Sequence, residues 1–318
     1  MATVAGVATS YTLPNYHGEL FELTPVDHPF LSAIGGINGA KVTHATEFEW
    51  QTVDRRAFLA NNVVLEGQAA PAGAERSRAN VSNITEIHQS AIEVSYSKMG
   101  ATGQFSGVNV APEWDDFMVD ELTEQTRAEL QSMAVDIELS FLSGVYQKPA
   151  DNSTKRQTRG ILSAVTSNLT DLAAAALTTT AFEELLQTMY GNGAPLSEEH
   201  TVVMANQADI LKLANVYVTD SQLSAPTRDR NVAGMSLRTI TTLFGTFGLM
   251  INRRCPAGQL NVVDLGVCYP VFMEIPNKGL LFTEELARTG ASRKFQLYGE
   301  VGLEYGPETY HGILKNYT

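Results

Sequence analysis

Residues Pro112–Ser143 read PEWDDFMVDELTEQTRAELQSMAVDIELSFLS, with no glycine and no second proline before Gly144. Pro112 suits the first turn of a helix, where its missing N–H is not needed. At ~1.5 Å per residue this helix would be roughly 45 Å long, well above the average in globular proteins. A rod of this length indicates a spine on which the rest of an α+β chain is arranged. Its apolar residues recur mostly at steps of three, four or eight, which predicts one continuous stripe: Phe117, Met118, Leu122, Leu130, Met133, Ala134, Ile137, Phe141 and Leu142.

The first half of this predicted spine helix is acidic, and the positive end of the helix dipole favours acidic side chains there. Asp116 and Asp120 share one face and could be read as a metal-binding or general-acid pair. A solvated acidic face explains them without any chemistry and is the simpler interpretation. The acidic residues are Glu113, Asp115, Asp116, Asp120, Glu121 and Glu124.

The chain before the spine predicts an arm followed by a long hairpin. Residues 1–41 contain many small residues and several prolines, with scattered apolar anchors, and are interpreted as an extended N-terminal arm. Residues 42–98 are interpreted as the hairpin, in which polar and apolar side chains alternate along Val42–Val53 and again along Ile84–Ser97. A polar connection as long as the one between them is unusual inside a compact domain. We therefore expect the hairpin to reach out and be covered by another subunit.

The chain from the spine onward predicts one domain with a second domain inserted into it. Residues 99–168 contain the spine helix at 112–143, and residues 284–318 return to this domain with a strand at Phe295–Tyr305. Residues 169–283 mix helix and strand signals and predict an α/β insertion. Those signals are a capping box at Thr180–Glu183, a buried strand at Thr201–Ala205, a helix from Asn206 through Leu213 and a hairpin around Gly245-Thr246.

Composition and charge exclude several classes of protein. The chain has 318 residues, of which 44% are hydrophobic, and a net charge of −13, so a fold devoted to gripping nucleic-acid phosphates is disfavoured. No apolar run approaches the ~20 residues that span a bilayer, and no secretory signal precedes the first domain. Cys255 and Cys268 could form a disulfide, but two buried free thiols in a reducing compartment fit this sparse usage better.

Catalytic constellations are missing from the sequence. The six histidines are never three or four residues apart, so no paired metal-ligand motif exists. No phosphate-binding loop, dinucleotide fingerprint or nucleophile elbow occurs either. The sequence therefore predicts a protein without enzymatic activity, cofactor or metal ion.

Six motifs follow one another along the chain: DHPFLSAIGG (Asp27–Gly36), EFEWQT (Glu47–Thr52), RGIL (Arg159–Leu162), FGTFGLMINR (Phe244–Arg253), EELARTGASRKFQLYGEVGLEY (Glu284–Tyr305) and HGIL (His311–Leu314). Taken in this order, they resemble the major capsid proteins of tailed bacteriophages with the HK97-like fold. The resemblance covers the chain from about Asp27 to Leu314. Its last long motif, which is similar to the acid-rich turn and closing strand of that family, is the most specific.

The resemblance implies both an architecture and a function. It implies an N-terminal arm, an extended loop (E-loop), a peripheral domain with the spine helix, and an axial domain. It further implies pentamers and hexamers that self-assemble into an icosahedral shell around double-stranded DNA, with each E-loop lying over the neighbouring subunit. The protein would be a virion component assembled in the host cytoplasm, without a membrane. Scaffolding, portal and decoration functions would belong to separate proteins.

A charge pattern predicts which residues meet between subunits. The hairpin tip carries Arg55, Arg56, Arg76 and Arg78, whereas the spine helix presents Asp116, Asp120 and Glu124. These groups are expected to pair across subunits, although arginines that merely keep the loop solvated remain an alternative, because exposed ion pairs contribute little. Two other functions also remain open. One is an encapsulin-type compartment, which would hold protein cargo, and the other is an acidic cytosolic enzyme with a site between its domains.

Overall fold

The computed structural model describes residues 27–53, 62–70, 73, 78–97, 121–219, 230–232, 235–288 and 290–318. Short 3₁₀ turns lie at Leu265–Val267 and Glu308–Tyr310. The helices within these residues are α1 (Pro29–Ala33), α2 (Glu121–Ser143), α3 (Ile161–Ala164), α4 (Thr179–Gly191) and α5 (Gln207–Thr219). The strands are β1 (Lys41–Thr43), β2 (Glu47–Val53), β3 (Arg78–Ile84), β4 (Glu86–Ser95), β5 (Leu169–Asp171), β6 (Thr201–Ala205), β7 (Arg230–Val232), β8 (Met235–Thr242), β9 (Gly245–Ile251), β10 (Gln259–Asp264), β11 (Tyr269–Met273), β12 (Leu281–Glu285), β13 (Ser292–Glu304) and β14 (Gly312–Lys315).

The chain divides into two compact units. The larger one takes its described residues from the ranges 28–88, 134–282 and 299–318, and the smaller one from 27, 89–133 and 283–298. In the smaller unit Tyr96 N donates to Ala291 O at 3.1 Å, and Arg293 binds Glu285 on β12 through two hydrogen bonds of 3.2 and 2.9 Å. All residues of the site discussed below belong to the larger unit.

The spine helix is present, and its described part, α2, ends at Ser143 as predicted. The predicted segment 112–120 lies outside the described residues. Along α2 the side chains of Met133, Ile137, Phe141 and Leu142 are all buried, which confirms this part of the predicted stripe.

Two glycines let the loop after the spine helix pack back against the helix end. Gly144 directly follows the last helical residue, and Gly160 lies where the loop returns. Gly160 N donates to Gly144 O at 2.8 Å. A Cβ atom on Gly144 would lie 2.5 Å from Thr158 O, and one on Gly160 would lie 2.6 Å from Leu142 O. Backbone packs on backbone here, so neither position has room for a side chain. The loop between them is fixed further by two hydrogen bonds of 3.0 Å between Gln147 and Gln157.

A seven-stranded mixed sheet forms the largest layer of the molecule, in the order β5-β14-β10-β6-β9-β8-β7. One face is covered by α4 and α5, and their shared apolar cluster contains Phe182, Leu185 and Leu213, each fully buried. β6 is buried along its whole length, as the sequence predicted. Its neighbour β9 runs parallel to it, whereas β10 and β8 are antiparallel to their partners within the sheet.

Both predicted helix starts in this region can be compared with the structure. Asn206 Oδ1 accepts from Asp209 N at 3.0 Å, which confirms the start of α5. The helix continues to Thr219, past the predicted Leu213, because Tyr217 extends the buried face by another turn. The predicted cap at Thr180 is wrong. Thr178 caps α4, since its hydroxyl accepts from Ala181 N at 3.1 Å.

The first predicted hairpin strand is present and pairs antiparallel with a second strand, but that second strand lies earlier in the chain than predicted. β2 pairs antiparallel with β3, from Glu47 opposite Ile84 to Val53 opposite Arg78, so the predicted second strand begins where the true one ends. β4, which covers most of the predicted strand, pairs with β13 instead. In the larger unit, β11 lies between β1, which runs parallel to it, and the end of β13, which is antiparallel.

Candidate assembly interface

Among the described residues, the β2–β3 ribbon forms a small sheet of its own, separate from the two larger sheets. It is a two-stranded sheet, buried at the Ile84 end and exposed towards Val53 and Arg78. The connection beyond it carries Val63, Val64 and Leu65 with 84%, 62% and 81% of their surfaces exposed. Three consecutive exposed apolar residues are a candidate contact surface.

Aromatic packing anchors the base of the ribbon. Trp50 meets Tyr305 edge to face, with ring centroids 4.9 Å apart, and its indole Nε1 donates to Gly306 O at 3.0 Å. Phe48 packs over Gly302, where an added Cβ would lie only 2.6 Å from the Phe48 ring. Aromatic pairs of this kind contribute about 0.5–1.5 kcal/mol beyond their buried area. The ribbon therefore leaves the body of the unit in a fixed position.

Asn83 on β3 holds the ribbon to two other segments. Its Nδ2 donates to Leu303 O at 2.7 Å and to Arg159 O at 3.1 Å, and its Oδ1 accepts from Arg159 N at 2.8 Å. The side chain is fully buried. One amide thus satisfies backbone groups of β13 and of the loop after the spine, which would otherwise be buried without partners.

Glu86, at the start of β4, forms a second polar centre close by. Its carboxylate accepts from Thr158 N at 3.1 Å and contacts His88 Nε2 at 2.7 Å. Burial alone would raise the pKa of the Glu86 carboxyl, but hydrogen bonds from His88, Ser140 and Thr158 outweigh it and lower that pKa. Glu86 is therefore an ionised, fully bonded group beside a cavity of about 710 Å³ between the ribbon base and the loop after the spine.

Glu138 connects the spine helix to two distant segments. The carboxyl is fully buried and accepts from Leu31 N of α1 at 3.2 Å and from Asn252 Nδ2 at 2.6 Å. Asn252 N in turn donates to Ala205 O at the end of β6, at 2.8 Å. Burial raises the pKa of Glu138, and the hydrogen bonds oppose that rise. The first described helix α1, the spine and the large sheet thus meet at one carboxyl group.

The structure reaches only part of the site predicted from sequence. Arg55, Arg56, Arg76, Asp116 and Asp120 lie outside the described residues, and Glu124 is described only as part of α2. Arg78 is exposed at the first residue of β3, where Nη1 donates to Gln51 Oε1 at 3.2 Å across the ribbon. Pairing of these arginines with the spine acids remains a prediction.

Sequence reasoning missed Asn83, Glu86 and Glu138. For Glu138 a signal existed, because an acid placed one residue after Ile137 interrupts the apolar stripe and requires buried partners. Asn83 and Glu86 gave no such signal, since each lies among other polar residues in a strand.

The described residues offer little for catalysis. No group of three His, Cys, Asp or Glu residues among them could hold a metal ion. Cys255 and Cys268 are both free and buried, and burial raises the pKa of the Cys255 thiol to about 12, so little reactive thiolate forms. Within the same residues, no helix is long and apolar enough to cross a membrane.

Comparison with known proteins decides the family. The model of the SU10 major capsid protein family matches residues 3–318. The chain belongs to this family. As an SU10-type major capsid protein it is a shell-forming structural protein and a component of the virion. No curated protein matches it by sequence.

Solved structures show that this SU10-type capsid protein has the HK97-like fold. The capsid of cyanophage A-1(L) has a TM-score of 0.64 at 12% identity, with 98% of each chain covered. The capsid of a native GTA particle has 0.63 at 14% identity over 100% of both chains. The SrpI encapsulin complex of Synechococcus elongatus PCC 7942 has 0.61 at 13% identity, covering 96% of this chain and 92% of the encapsulin. The α+β fold predicted from sequence is confirmed.

Proposed function

We propose that this SU10-type capsid protein forms the pentamers and hexamers of an icosahedral shell that encloses the double-stranded DNA of a tailed phage. Assembly takes place in the host cytoplasm, and the protein catalyses no reaction and needs no cofactor. Separate scaffolding, portal and decoration proteins are its further partners. The family assignment supports a shell; the symmetry of that shell, its contents and these partners are the proposal.

The observation that carries the proposal is the exposed outer part of the β2–β3 ribbon, together with the exposed apolar residues of the connection beyond it. Burying an exposed Val or Leu side chain contributes about 1.5–3 kcal/mol. Val63, Val64 and Leu65 can gain this only from a surface outside their own ribbon. In a shell each copy supplies that surface to the next, so the contact is repeated by symmetry.

The charge of the chain agrees with loose enclosure of DNA. A net charge of −13 repels phosphates, so the shell holds DNA without a sequence-specific contact. The same charge keeps a concentrated subunit soluble before it assembles.

Light scattering and electron microscopy of the purified protein test the proposal. We expect closed icosahedral particles, and nuclease-protected double-stranded DNA in particles taken from infected cells. A compact monomer under all assembly conditions would contradict the proposal. Particles that hold protein cargo and no DNA would instead identify an encapsulin-type compartment.

We also propose that Arg55, Arg56, Arg76 and Arg78 pair with Asp116, Asp120 and Glu124 of a neighbouring copy. The double reversal Arg76→Glu and Arg78→Glu should weaken assembly, most strongly at low salt, where charges are least screened. The compensating reversal Asp116→Arg and Asp120→Arg in the same chain should restore it. Assembly by the first variant at the wild-type concentration and salt tolerance would show that these arginines only solvate the loop.

A further inference from the structure

The cavity of about 710 Å³ in the larger unit has a composition that the shell fold does not by itself explain. It lies between the base of the ribbon, the spine helix near Ser140 and the loop after the spine. The titratable groups that line it are Glu86, His88, Lys148, Asp151, Lys155 and Arg156. Its volume is within the range of sites that hold small molecules or a few side chains.

Every acidic group at this cavity already has donors within the fold. Glu86 is bonded to His88 and Thr158, as described above. Asp151 accepts from Ser153 N at 3.0 Å and from the Ser153 hydroxyl at 2.5 Å, and these two bonds lower the pKa of its carboxyl. The cavity therefore contains no carboxylate that lacks a partner.

The cationic groups that line the cavity have acceptors for only some of their N–H groups. Lys148 Nζ binds Glu47 Oε2 at 2.6 Å, and one Nη of Arg156 binds Glu300. The Nε–H of Arg156, however, is buried without a hydrogen-bond acceptor among the described residues. The exposed Lys155 has no ionic or hydrogen-bond partner there either. A buried donor without an acceptor costs about 1–3 kcal/mol, so Arg156 Nε–H requires an acceptor, and an oxyanion in the cavity that Arg156 and Lys155 line would supply it.

We propose that this cavity receives an acidic side chain from a second copy of the chain, whose carboxylate binds Lys155 Nζ and Arg156 Nε. The inference rests on the proposed function, because shell assembly is what places copies side by side. Charge complementarity supports the choice of occupant. The chain has 35 acidic against 22 basic residues, so acidic side chains are the charged groups that a neighbouring copy has most of to offer. The cavity is larger than one carboxylate, and it accommodates the short segment that bears it.

Lys155→Glu tests the proposal most directly. Lys155 is exposed and has no ionic or hydrogen-bond partner among the described residues, so the unassembled variant should unfold at the same temperature as the wild type. Its critical concentration for assembly should rise about tenfold, because the new carboxylate faces the incoming one. Lys155→Arg should assemble like the wild type, since it keeps the charge and the donors.

Lys294→Glu is the matched control. It makes the same change of charge at a lysine that does not line the cavity and has no side-chain partner among the described residues. It should leave the critical concentration within about twofold, because the reversed charge does not meet the proposed carboxylate. An equal rise in both variants would show an effect of net charge and overturn the proposal. Wild-type assembly by Lys155→Glu would overturn it as well.

A cryo-electron microscopy map of the wild-type shell gives the second readout. A carboxylate of a neighbouring copy within hydrogen-bond distance of Lys155 and Arg156 supports the proposal. A cavity that holds only an inorganic ion, only water or only a segment of its own chain overturns it. These results are separate from the proposed function, which fails only if the wild-type chain forms no shell.

Discussion

At the scale of single residues, the fold depends on a few polar side chains that join distant segments. Asn83 joins a ribbon strand to residues 76 and 220 positions further along the chain. Glu138 joins the spine helix to Leu31 of α1 and to Asn252 after β9. Such groups are stabilising only while every partner is present, because a lone buried donor or acceptor is expensive.

Asn83→Ala should lower the free energy of unfolding of the unassembled subunit by about 2–4 kcal/mol, because it leaves Arg159 N and Leu303 O buried without partners. Urea unfolding followed by circular dichroism measures the loss. Asn80→Ala is the control on the same strand. Asn80 is exposed and donates only to Glu49 at 2.9 Å, so its loss should cost less than about 0.5 kcal/mol. Equal losses would refute a special role for Asn83.

His311 should make the subunit less stable in mild acid. It is fully buried, its Nε2 contacts Tyr305 O at 2.7 Å, and its Nδ1 accepts from Asp264 N at 3.3 Å. Burial lowers the pKa of the imidazole, and the nearby Asp264 and Glu308 only partly oppose this. The unfolded chain therefore binds a proton more readily, and the stability that is present above pH ~6.5 is lost as the pH falls.

Thermal unfolding between pH 7.5 and about pH 5 measures this effect. The melting temperature of the wild type should fall over that range, and that of His311→Gln should fall less steeply, whatever its absolute value. His200→Gln is the control, since the His200 side chain is half exposed. A slope for His311→Gln as steep as that of the wild type would assign the acid sensitivity to other groups.

At the scale of elements, the helix and the strand that have a buried apolar face were predicted correctly from the sequence. The ribbon strand, which has no such face, was placed wrongly. The spine stripe was predicted because its apolar residues follow a helical period, and β6 because it is a short, nearly continuous apolar run. The second ribbon strand was misplaced, since Arg78–Ile84 carries Asn80, Ser82 and Asn83 and gives no alternation to recognise. Asn83 escaped prediction for a related reason, because its partners in Arg159 and Leu303 are backbone groups far away in sequence. Glu86 escaped it because two of its partners, Thr158 N and the Ser140 side chain, are also distant in sequence.

Gly302→Ala should displace the ribbon from its anchor. The new methyl group would lie within 2.6 Å of the Phe48 ring and 3.1 Å of Ile84 O, and such overpacking costs about 1–3 kcal/mol. The fluorescence of Trp50, which packs beside Phe48, should change together with the unfolding midpoint. Gly73→Ala is the control, since nothing lies within 4 Å of its added Cβ. A Gly302→Ala protein with wild-type stability and fluorescence would show that the ribbon base adapts freely.

At the scale of the whole molecule, stability of the subunit and assembly of the shell should respond to different residues. The triple change Val63→Ser, Val64→Ser and Leu65→Ser removes apolar surface that the fold itself leaves exposed. Unfolding of the unassembled chain should stay within about 0.5 kcal/mol of the wild type. Particle formation, measured by light scattering, should fall at least tenfold, because the contact is repeated in every copy. Particles formed at the wild-type concentration would show that this segment is not an assembly contact.

The position of β14 has a consequence for how the protein is made. This strand is the last of the described strands, yet it lies inside the large sheet, hydrogen-bonded to β5 on one side and β10 on the other. A ribosome must therefore translate past Lys315 before β5 can join the other strands. Until then the nascent polypeptide exposes the sheet's unpaired edges, and a chain released early lacks the strand that closes them. Translation past Lys315 is thus required before the large sheet can be completed.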